Sequence, residues 1–263
     1  MLRSNWRYEL GKVFLRNSDA MAPLSQIKPV GEYIHKEFFG PGNTGRVIPV
    51  NQSVDNVEDV VLPSQIVRRL IEKSGRRVLM DKCICRAAGS CESYPADLGC
   101  IFMGQASRKI SRGLGKPVSV DRALDHLDKC EAAGLVHLVG RFKFDAILLN
   151  ATPHHKLLSI CNCCECCCVF KNIPDLYAPI GETLKKLEGV EVTVGDECKG
   201  CGLCAGSCFV RAITLDGDRA VISDACKGCG RCVTKCPTGS IKLTIENSEL
   251  VENTIKQFED IVG

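Results

Sequence analysis

The chain has no apolar run long enough to cross a membrane, few aromatic residues and almost no excess of charge. No segment approaches the roughly 20 consecutive apolar residues that a spanning helix needs. Aromatic residues make up only 5% of the 263 positions, and the formal net charge is +3. These values argue against a membrane span, against base stacking and against a strongly basic surface for nucleic acid.

The sequence also lacks the signs of a disulfide-bonded secreted protein. Charged residues between Arg3 and Arg16 interrupt the N-terminal segment, so we expect no secretory signal there. The 19 cysteines are an odd number, and adjacent cysteines rarely reach the geometry that a disulfide requires. We therefore expect a reducing, cytoplasmic environment, in which dense cysteine indicates metal or redox chemistry.

What the chain does contain is cysteine, which forms an internal repeat in the C-terminal third. DECKGCGLC begins at Asp196 and recurs as DACKGCGRC from Asp224. Each copy has the spacing C-x2-C-x2-C-x3-C, in which three thiolates on a glycine-containing turn hold one cluster and the fourth binds the neighbouring cluster. Two four-thiolate zinc sites are the alternative, but zinc ribbons use paired C-x2-C spacing instead.

The repeat, over residues 191–245, resembles bacterial two-cluster ferredoxins and predicts two [4Fe-4S] clusters. The ligands predicted for the first cluster are Cys198, Cys201, Cys204 and Cys236. Those predicted for the second are Cys226, Cys229, Cys232 and Cys208. Pro237 follows the last cysteine as the pattern requires, whereas Phe209 stands where the pattern has proline. The flanking segments VEVTV, AITL, AVI and SIKLTI are predicted to be short strands.

Residues 61–170 hold the other 11 cysteines, ten of them in two segments. KCICRAAGSCESYPADLGC reads as a loop and contains the candidate metal ligands Cys83, Cys85, Cys91 and Cys100. These four could instead be small buried hydrophobic residues. CNCCECCC contains the candidate ligands Cys161, Cys163, Cys164, Cys166, Cys167 and Cys168. Because neighbouring side chains of an extended segment point to opposite sides, these six should divide between two directions, and we expect one or more additional iron–sulfur clusters.

Two helices and a hairpin are predicted around these cysteines. VLPSQIVRRLIEKSG is a helix that starts at Ser64 and leads into the strand RRVLM. A second helix, with Ser119 as its N-cap, places Cys130 in the core and stops at Gly134. The following LVHLV, GRFKF and DAILL read as a hairpin, so the pattern also fits a winged-helix-like element. His137 on the first of these strands is either packed or a ligand.

The ends of the chain carry less information. FFGPGNTGR is a surface turn rather than a phosphate loop, because no helix pattern follows it. SELVENTIKQFEDIVG is an amphipathic helix behind the cap Ser248, and the sequence does not say what this helix packs against.

The predicted fold class is α+β, a two-cluster ferredoxin fold appended to a cysteine-rich α/β domain. The predicted divisions are residues 1–60 (N-terminal extension), 61–175 (cysteine-rich domain), 176–190 (linker), 191–245 (ferredoxin domain) and 246–263 (helix).

The combination of CICR, GLVH, CNCC-x-CCC and two ferredoxin motifs resembles anaerobic 4Fe-4S dicluster, ferredoxin-like proteins. This resemblance implies iron–sulfur electron transfer to a redox partner protein or oxidoreductase subunit in an anaerobe. The crowded cysteines also resemble the cysteine-rich subunit of heterodisulfide reductase, which holds a noncubane cluster, although that motif has longer spacers. An electron carrier is therefore the leading interpretation. A reductase with a substrate-binding upstream cluster and a redox-sensing DNA-binding regulator are the alternatives, and no catalytic residue is assigned.

Overall fold

The computed structural model describes residues 6–49, 64–245 and 249–262. The strands are β1 (Thr44–Ile48), β2 (Arg77–Met80), β3 (Ile101–Met103), β4 (Gly115–Pro117), β5 (Val136–Arg141), β6 (Leu158–Cys163), β7 (Leu184–Lys186), β8 (Val190–Val194), β9 (Ile213–Asp216), β10 (Arg219–Ile222) and β11 (Ile241–Ile245). The α-helices are α1 (Trp6–Arg16), α2 (Ser18–Met21), α3 (Lys28–Ile34), α4 (Ser64–Lys73), α5 (Ile84–Ala88), α6 (Val120–Ala132), α7 (Lys143–Leu148), α8 (Ala178–Gly181), α9 (Leu203–Ser207), α10 (Arg231–Lys235) and α11 (Leu250–Val262). Short 3-10 helices and one π-helical turn lie between them: Ala22–Gln26, His35–Phe39 (π), Gln105–Lys109, His154–Lys156 and Val169–Asp175.

The main sheet has seven strands in the order β4-β2-β3-β6-β5-β1-β7. Neighbouring strands are antiparallel, except that β7 runs parallel to β1. In this arrangement β2 and β6 end, and β3 and β5 begin, at the same edge of the sheet. The loops that carry the upstream cysteines leave from this edge, so the topology gathers them in one place.

One face of the sheet is covered by α4, α6 and α11, because each has an apolar stripe at helical spacing. Leu70 of α4, Leu127 of α6 and Phe258 of α11 are fully buried in one apolar cluster with Ile101 and Ile160 of the sheet. The C-terminal helix therefore packs on its own chain, which the sequence pattern left open. Its predicted cap, at position 248, lies outside the described residues.

The first 60 residues contribute directly to this sheet. Strand β1 pairs with β5 on one side and with β7 on the other, although the sequence assigns β1 to an extension and β7 to a linker. Helix α1 packs on α5 and α7. The domain boundaries stay a prediction. Strand pairing nevertheless crosses two of them, the boundary at 60/61 and the boundary at 175/176. Pro41 and Gly42 form an exposed turn, as predicted.

The predicted hairpin after Gly134 is wrong, and with it the winged-helix-like element. Strand β5 is followed by helix α7, not by a second strand. The helix is favoured because Ala146 and Leu149, one turn apart, both enter the apolar cluster that contains Phe102. Strand β5 instead pairs with the distant β1 and β6. The structure therefore does not support the wing on which the hypothesis of a DNA-binding regulator was based.

The other predicted helices and strands are found among the described residues, but the cysteine segment predicted to be a loop contains helix α5. Ser119 caps α6 by accepting a hydrogen bond from the backbone N–H of Arg122 at 3.3 Å. Cys130 is fully buried, and Gly134 ends this helix with a φ of 74°. The four ferredoxin segments form two antiparallel pairs, β8 with β11 and β9 with β10. Within the described ranges, no helix is long and apolar enough to cross a membrane.

Replacement of Phe258 by alanine should destabilise the protein, because this side chain is fully buried between α4 and the sheet. We expect a loss of about 3–5 kcal/mol in the free energy of unfolding, measured by anaerobic urea denaturation. Lys256→Ala on the exposed face of the same helix is the matched control and should change this free energy by less than about 0.5 kcal/mol. Equal effects of the two substitutions would contradict the packing of α11.

Candidate metal centres

The first predicted ferredoxin ligand set, the first quartet, lines one recess of the C-terminal module. Its members are Cys198, Cys201, Cys204 and Cys236. The short helices α9 and α10 follow Gly202 and Gly230, which take left-handed conformations with φ of 76° and 78°. A side chain would be strained there, so glycine allows the chain to turn sharply around each set of thiols.

The second predicted ligand set, the second quartet, also comes together. Cys208 lies close enough to Cys226, Cys229 and Cys232 to raise the pKa of each, although burial is the larger cause in all three. The fourth cysteine of each repeat is thus placed with the other copy. This arrangement is what crossed ligation requires, and the ligand assignment itself stays a prediction. Phe209, in the position of the expected proline, is buried beside these thiols.

The surroundings of both quartets suit thiolate-bound clusters. Backbone N–H groups of Ala220, Ala212 and Gly228 donate to the sulfurs of Cys198, Cys208 and Cys226 at 3.4, 3.3 and 3.4 Å. Hydrogen bonds of this kind stabilise negative charge on sulfur. Burial raises the pKa of Cys236, but hydrogen bonds with Ser240 and Thr238 outweigh it and lower this pKa to about 6. All 19 cysteines are free thiols, so disulfides do not compete for them.

Six of the upstream cysteines form a closed ring of neighbouring thiols, the six-thiol ring. Each member lies close enough to the next to shift its pKa, in the order Cys83, Cys85, Cys168, Cys163, Cys161, Cys100 and back to Cys83. Hydrogen bonds from neighbouring thiols lower the pKa of Cys83 and of Cys168 well below the usual value. Neighbouring thiols raise the pKa of Cys85 and of Cys100 well above the usual value, and burial adds to this shift, so deprotonation of one ring thiol is linked to protonation of its neighbours.

The six-thiol ring opens onto an enclosed cavity of about 200 Å³. Apolar side chains from the N-terminal helices and from the sheet close this cavity, among them Phe14, Phe39, Phe102, Phe142, Phe144 and Phe170. All six ring thiols contribute to the lining. The volume is several times the roughly 30 Å³ of one water molecule, so the space beside the ring exceeds what a single ion needs.

The remaining four upstream candidates form a separate group, the four-thiol group. Its members are Cys91, Cys164, Cys166 and Cys167, whose sulfurs all lie within 4.8 Å of one another. The octet CNCCECCC thus divides between two sites, as predicted, with three cysteines at each. The division is not a strict alternation, because β6 ends at Cys163 and a turn follows.

The guanidinium of Arg86 lies between the two upstream sites. Arg86 is only 1% exposed and donates to the carbonyls of Pro95, Asn162 and Leu98. Burial lowers its pKa, but the neighbouring thiols of Cys83 and Cys164 outweigh burial and raise it. Among the described residues no carboxylate pairs with this cation, so negative charge at the thiols is what compensates it. This requirement fits thiolate-bound metal at both sites.

A second buried arginine ties the ferredoxin module to the octet. Arg231 precedes Cys232, is 4% exposed and forms an ion pair with Glu165, the one residue of the octet between Cys164 and Cys166. Arg231 also donates to the Tyr94 hydroxyl at 3.0 Å and to the carbonyl of Gly134 at 2.7 Å. Sequence reasoning missed this contact, since neither Arg231 nor Glu165 belongs to a motif that predicts the other.

His137 is packed rather than placed among the thiols. It is fully buried, with Nδ1 at 2.8 Å from Oδ1 of Asn162 and Nε2 at 3.5 Å from Oε1 of Glu131. The GLVH and CNCC motifs therefore meet through this hydrogen bond, because His137 and Asn162 face each other across β5 and β6. His154 and His155 lie in a short 3-10 turn between α7 and β6.

Comparison with known proteins identifies one part of the chain. Residues 197–243 match the family model described as a 4Fe-4S dicluster domain. The comparisons with curated proteins and with solved structures gave no match. The matched segment contains both quartets, so the C-terminal module is an iron–sulfur, ferredoxin-like domain. The upstream sites lie outside it.

Serine substitutions should reveal the crossed ligation. Cys208→Ser is expected to alter the EPR signal of the cluster at Cys226, Cys229 and Cys232, because Cys208 lies beside these thiols. Cys198→Ser should alter the other signal. The measurement is EPR of the reduced, anaerobic protein. If both substitutions change the same signal, the pairing is wrong.

Proposed function

We propose that the chain is an iron–sulfur electron-transfer protein of anaerobic, cytoplasmic metabolism. Two [4Fe-4S] clusters at the quartets and a further cluster at the six-thiol ring would connect it to a redox partner protein or oxidoreductase subunit. When bound, such clusters supply one-electron chemistry at low potential. The match to a dicluster domain supports the first part of this proposal, and the packing of the two regions supports the second.

The observation that carries the proposal is the shared apolar cluster between the module and the ring. Cys208, Cys226 and Cys229 of the second quartet pack in the same cluster as Cys161 and Cys163 of the ring. Buried Phe209 and Val210 belong to this cluster too. The second quartet thus packs directly against the six-thiol ring. We infer that electrons would pass between clusters at these two sites.

The first quartet is the natural side for exchange with a partner. Cys201 is exposed, whereas Cys204 beside it is buried. Leu203 and Leu215 near this recess are 56% and 45% exposed. Apolar side chains around an exposed thiolate suit a transient contact with another redox protein. The order of the sites would then be partner, first quartet, second quartet and ring.

Loss of the Arg231 contact should slow electron transfer into the upstream region. Arg231→Gln removes the ion pair with Glu165 and loosens the second quartet from the octet. We expect slower reduction of the upstream cluster with little change in reduction of the ferredoxin clusters, measured by rapid-freeze EPR after mixing with dithionite. Arg219→Gln is the matched control, because Arg219 pairs with exposed Asp196 near the first quartet. Equal upstream rates in wild type and Arg231→Gln would oppose this route.

A reductase is the second candidate function, and the cavity is the observation that favours it. The cavity beside the ring is apolar but includes Asp145, which accepts a hydrogen bond from the Ser159 hydroxyl at 2.8 Å. Burial raises the pKa of Asp145 to about 6, although the hydrogen bond opposes the shift. A small substrate in this space would find both thiolate-bound metal and a group able to hold a proton.

Exogenous ligands distinguish the relay from the reductase. Six thiols exceed the four terminal ligands of a cubane, so we expect every iron at the ring to be saturated by protein. Cyanide or a small thiol should then leave the EPR spectrum of the reduced upstream cluster unchanged. A ligand-induced shift that disappears when serines replace the cysteines of residues 161–168 would favour the reductase.

A further inference from the structure

We propose that the four-thiol group binds a single tetrahedral metal ion, zinc or iron, and not an iron–sulfur cluster. Its members are Cys91, Cys164, Cys166 and Cys167. This assignment does not depend on the electron-transfer proposal, which uses the quartets and the six-thiol ring. It makes the four-thiol group a structural clamp and leaves the ring as the upstream redox site.

The spacing of the sulfurs is the first argument. Around one zinc ion, metal–sulfur bonds of about 2.3 Å place the four sulfurs of a tetrahedron about 3.8 Å apart. The sulfurs of the four-thiol group lie within 4.8 Å of one another, and those of Cys91 and Cys166 are 3.4 Å apart. In a cubane each thiolate extends outward from its own iron, so the sulfurs must stand farther apart.

The rest of the structure provides an internal comparison for this spacing. Among the described residues, the four-thiol group is the one set of three or more metal-binding side chains with all ligand atoms within 4.8 Å. The sulfurs of the two ferredoxin quartets do not meet this 4.8 Å limit, although both quartets have the sequence spacing of cubane ligands. The six-thiol ring is also wider, since no three of its sulfurs meet this limit. The four-thiol group therefore differs in kind from the other sites.

The local chain geometry is the second argument. Cys164, Cys166 and Cys167 come from one turn of four residues that follows β6, and three thiols so close in sequence converge on one point. Cys91, the fourth thiol, comes from the loop after α5. Gly89 allows the close approach of this loop, because a Cβ there would lie 3.2 Å from the sulfur of Cys167.

The charges around the group suit four thiolates on a divalent ion, which leave a net charge of about −2. The buried guanidinium of Arg86 lies close to Cys164. Arg86 is the cation that can balance this charge, because Lys171, which donates to the carbonyl of Cys166 at 2.9 Å, is paired with Asp19. Arg231 pairs with Glu165 in the same turn. An ion here would fix the turn that presents Glu165 to Arg231, and so would hold the ferredoxin module in place.

Metal and sulfide analysis tests the proposal, because a lone ion brings no inorganic sulfide. The full-length protein and its Cys91→Ser and Cys166→Ser variants are purified without oxygen, and zinc, iron and acid-labile sulfide are measured per chain. Each variant should lose about one metal ion and no sulfide. Loss of about four irons and four sulfides would instead show a cubane and overturn the proposal, and so would an unchanged metal content.

Cys130→Ala is the matched control. Cys130 is fully buried and packs in the same apolar cluster as Cys164, but it lies outside the four-thiol group. This variant should keep the full content of metal and sulfide. If it loses the same ion, the loss in the serine variants reflects damaged packing and the assignment fails.

A second measurement on the wild-type protein keeps the test decisive if the serine variants do not fold. Should the ion be zinc, X-ray absorption at the zinc edge should show four sulfur neighbours at about 2.3 Å and no nearby metal. Should it be iron, Mössbauer spectra should contain one tetrathiolate iron distinct from the clusters. Absence of both zinc and such an iron, or a metal neighbour at the zinc edge, would reject a single-ion site.

Discussion

The buried guanidinium of Arg86 is the interaction on which the cysteine-rich region depends. It joins the carbonyls of Pro95 and Leu98 in the loop to that of Asn162 in the octet, so it fixes where the two cysteine segments meet. A buried cation is costly unless negative charge lies nearby, and the thiols of Cys83 and Cys164 are the groups on either side of it. If the upstream sites bind metal as proposed, the need for this negative charge would link folding of the region to metal binding.

The octet contributes to both upstream sites and also contacts the ferredoxin module. Cys161, Cys163 and Cys168 belong to the six-thiol ring, whereas Cys164, Cys166 and Cys167 belong to the four-thiol group. Glu165 between them holds Arg231 of the ferredoxin module. One short segment thus sets the distance from the second quartet to the ring, so changes in this segment would affect electron transfer and domain docking together.

Sequence patterns correctly predicted the elements that depend on interactions between residues close together in the chain. The repeated cysteine spacing, the cap at Ser119 and the alternating strands around the quartets depend on neighbours within a few residues, and all appear in the structure. Pairing of β1 with β5 and β7 joins distant segments, so no local pattern could reveal it. The helix at Lys143–Leu148 was mistaken for a strand because a short apolar run does not distinguish the two. The division of the ten upstream cysteines into a ring of six and a group of four depends on the turn after Cys163. The sequence gives no sign of this turn, because nearly every residue of the octet is cysteine.

The central claim is that the six-thiol ring carries an iron–sulfur cluster joined to the ferredoxin module, and Mössbauer spectroscopy tests it most directly. Anaerobic protein enriched in ⁵⁷Fe is titrated with reductant, alongside a variant with both Cys83→Ser and Cys161→Ser. The account predicts a cluster component beyond two cubanes, about eight irons, that becomes reduced in the wild type and is missing from the variant, while the ferredoxin components persist in both. Two cubane components alone in fully loaded wild-type protein would contradict it.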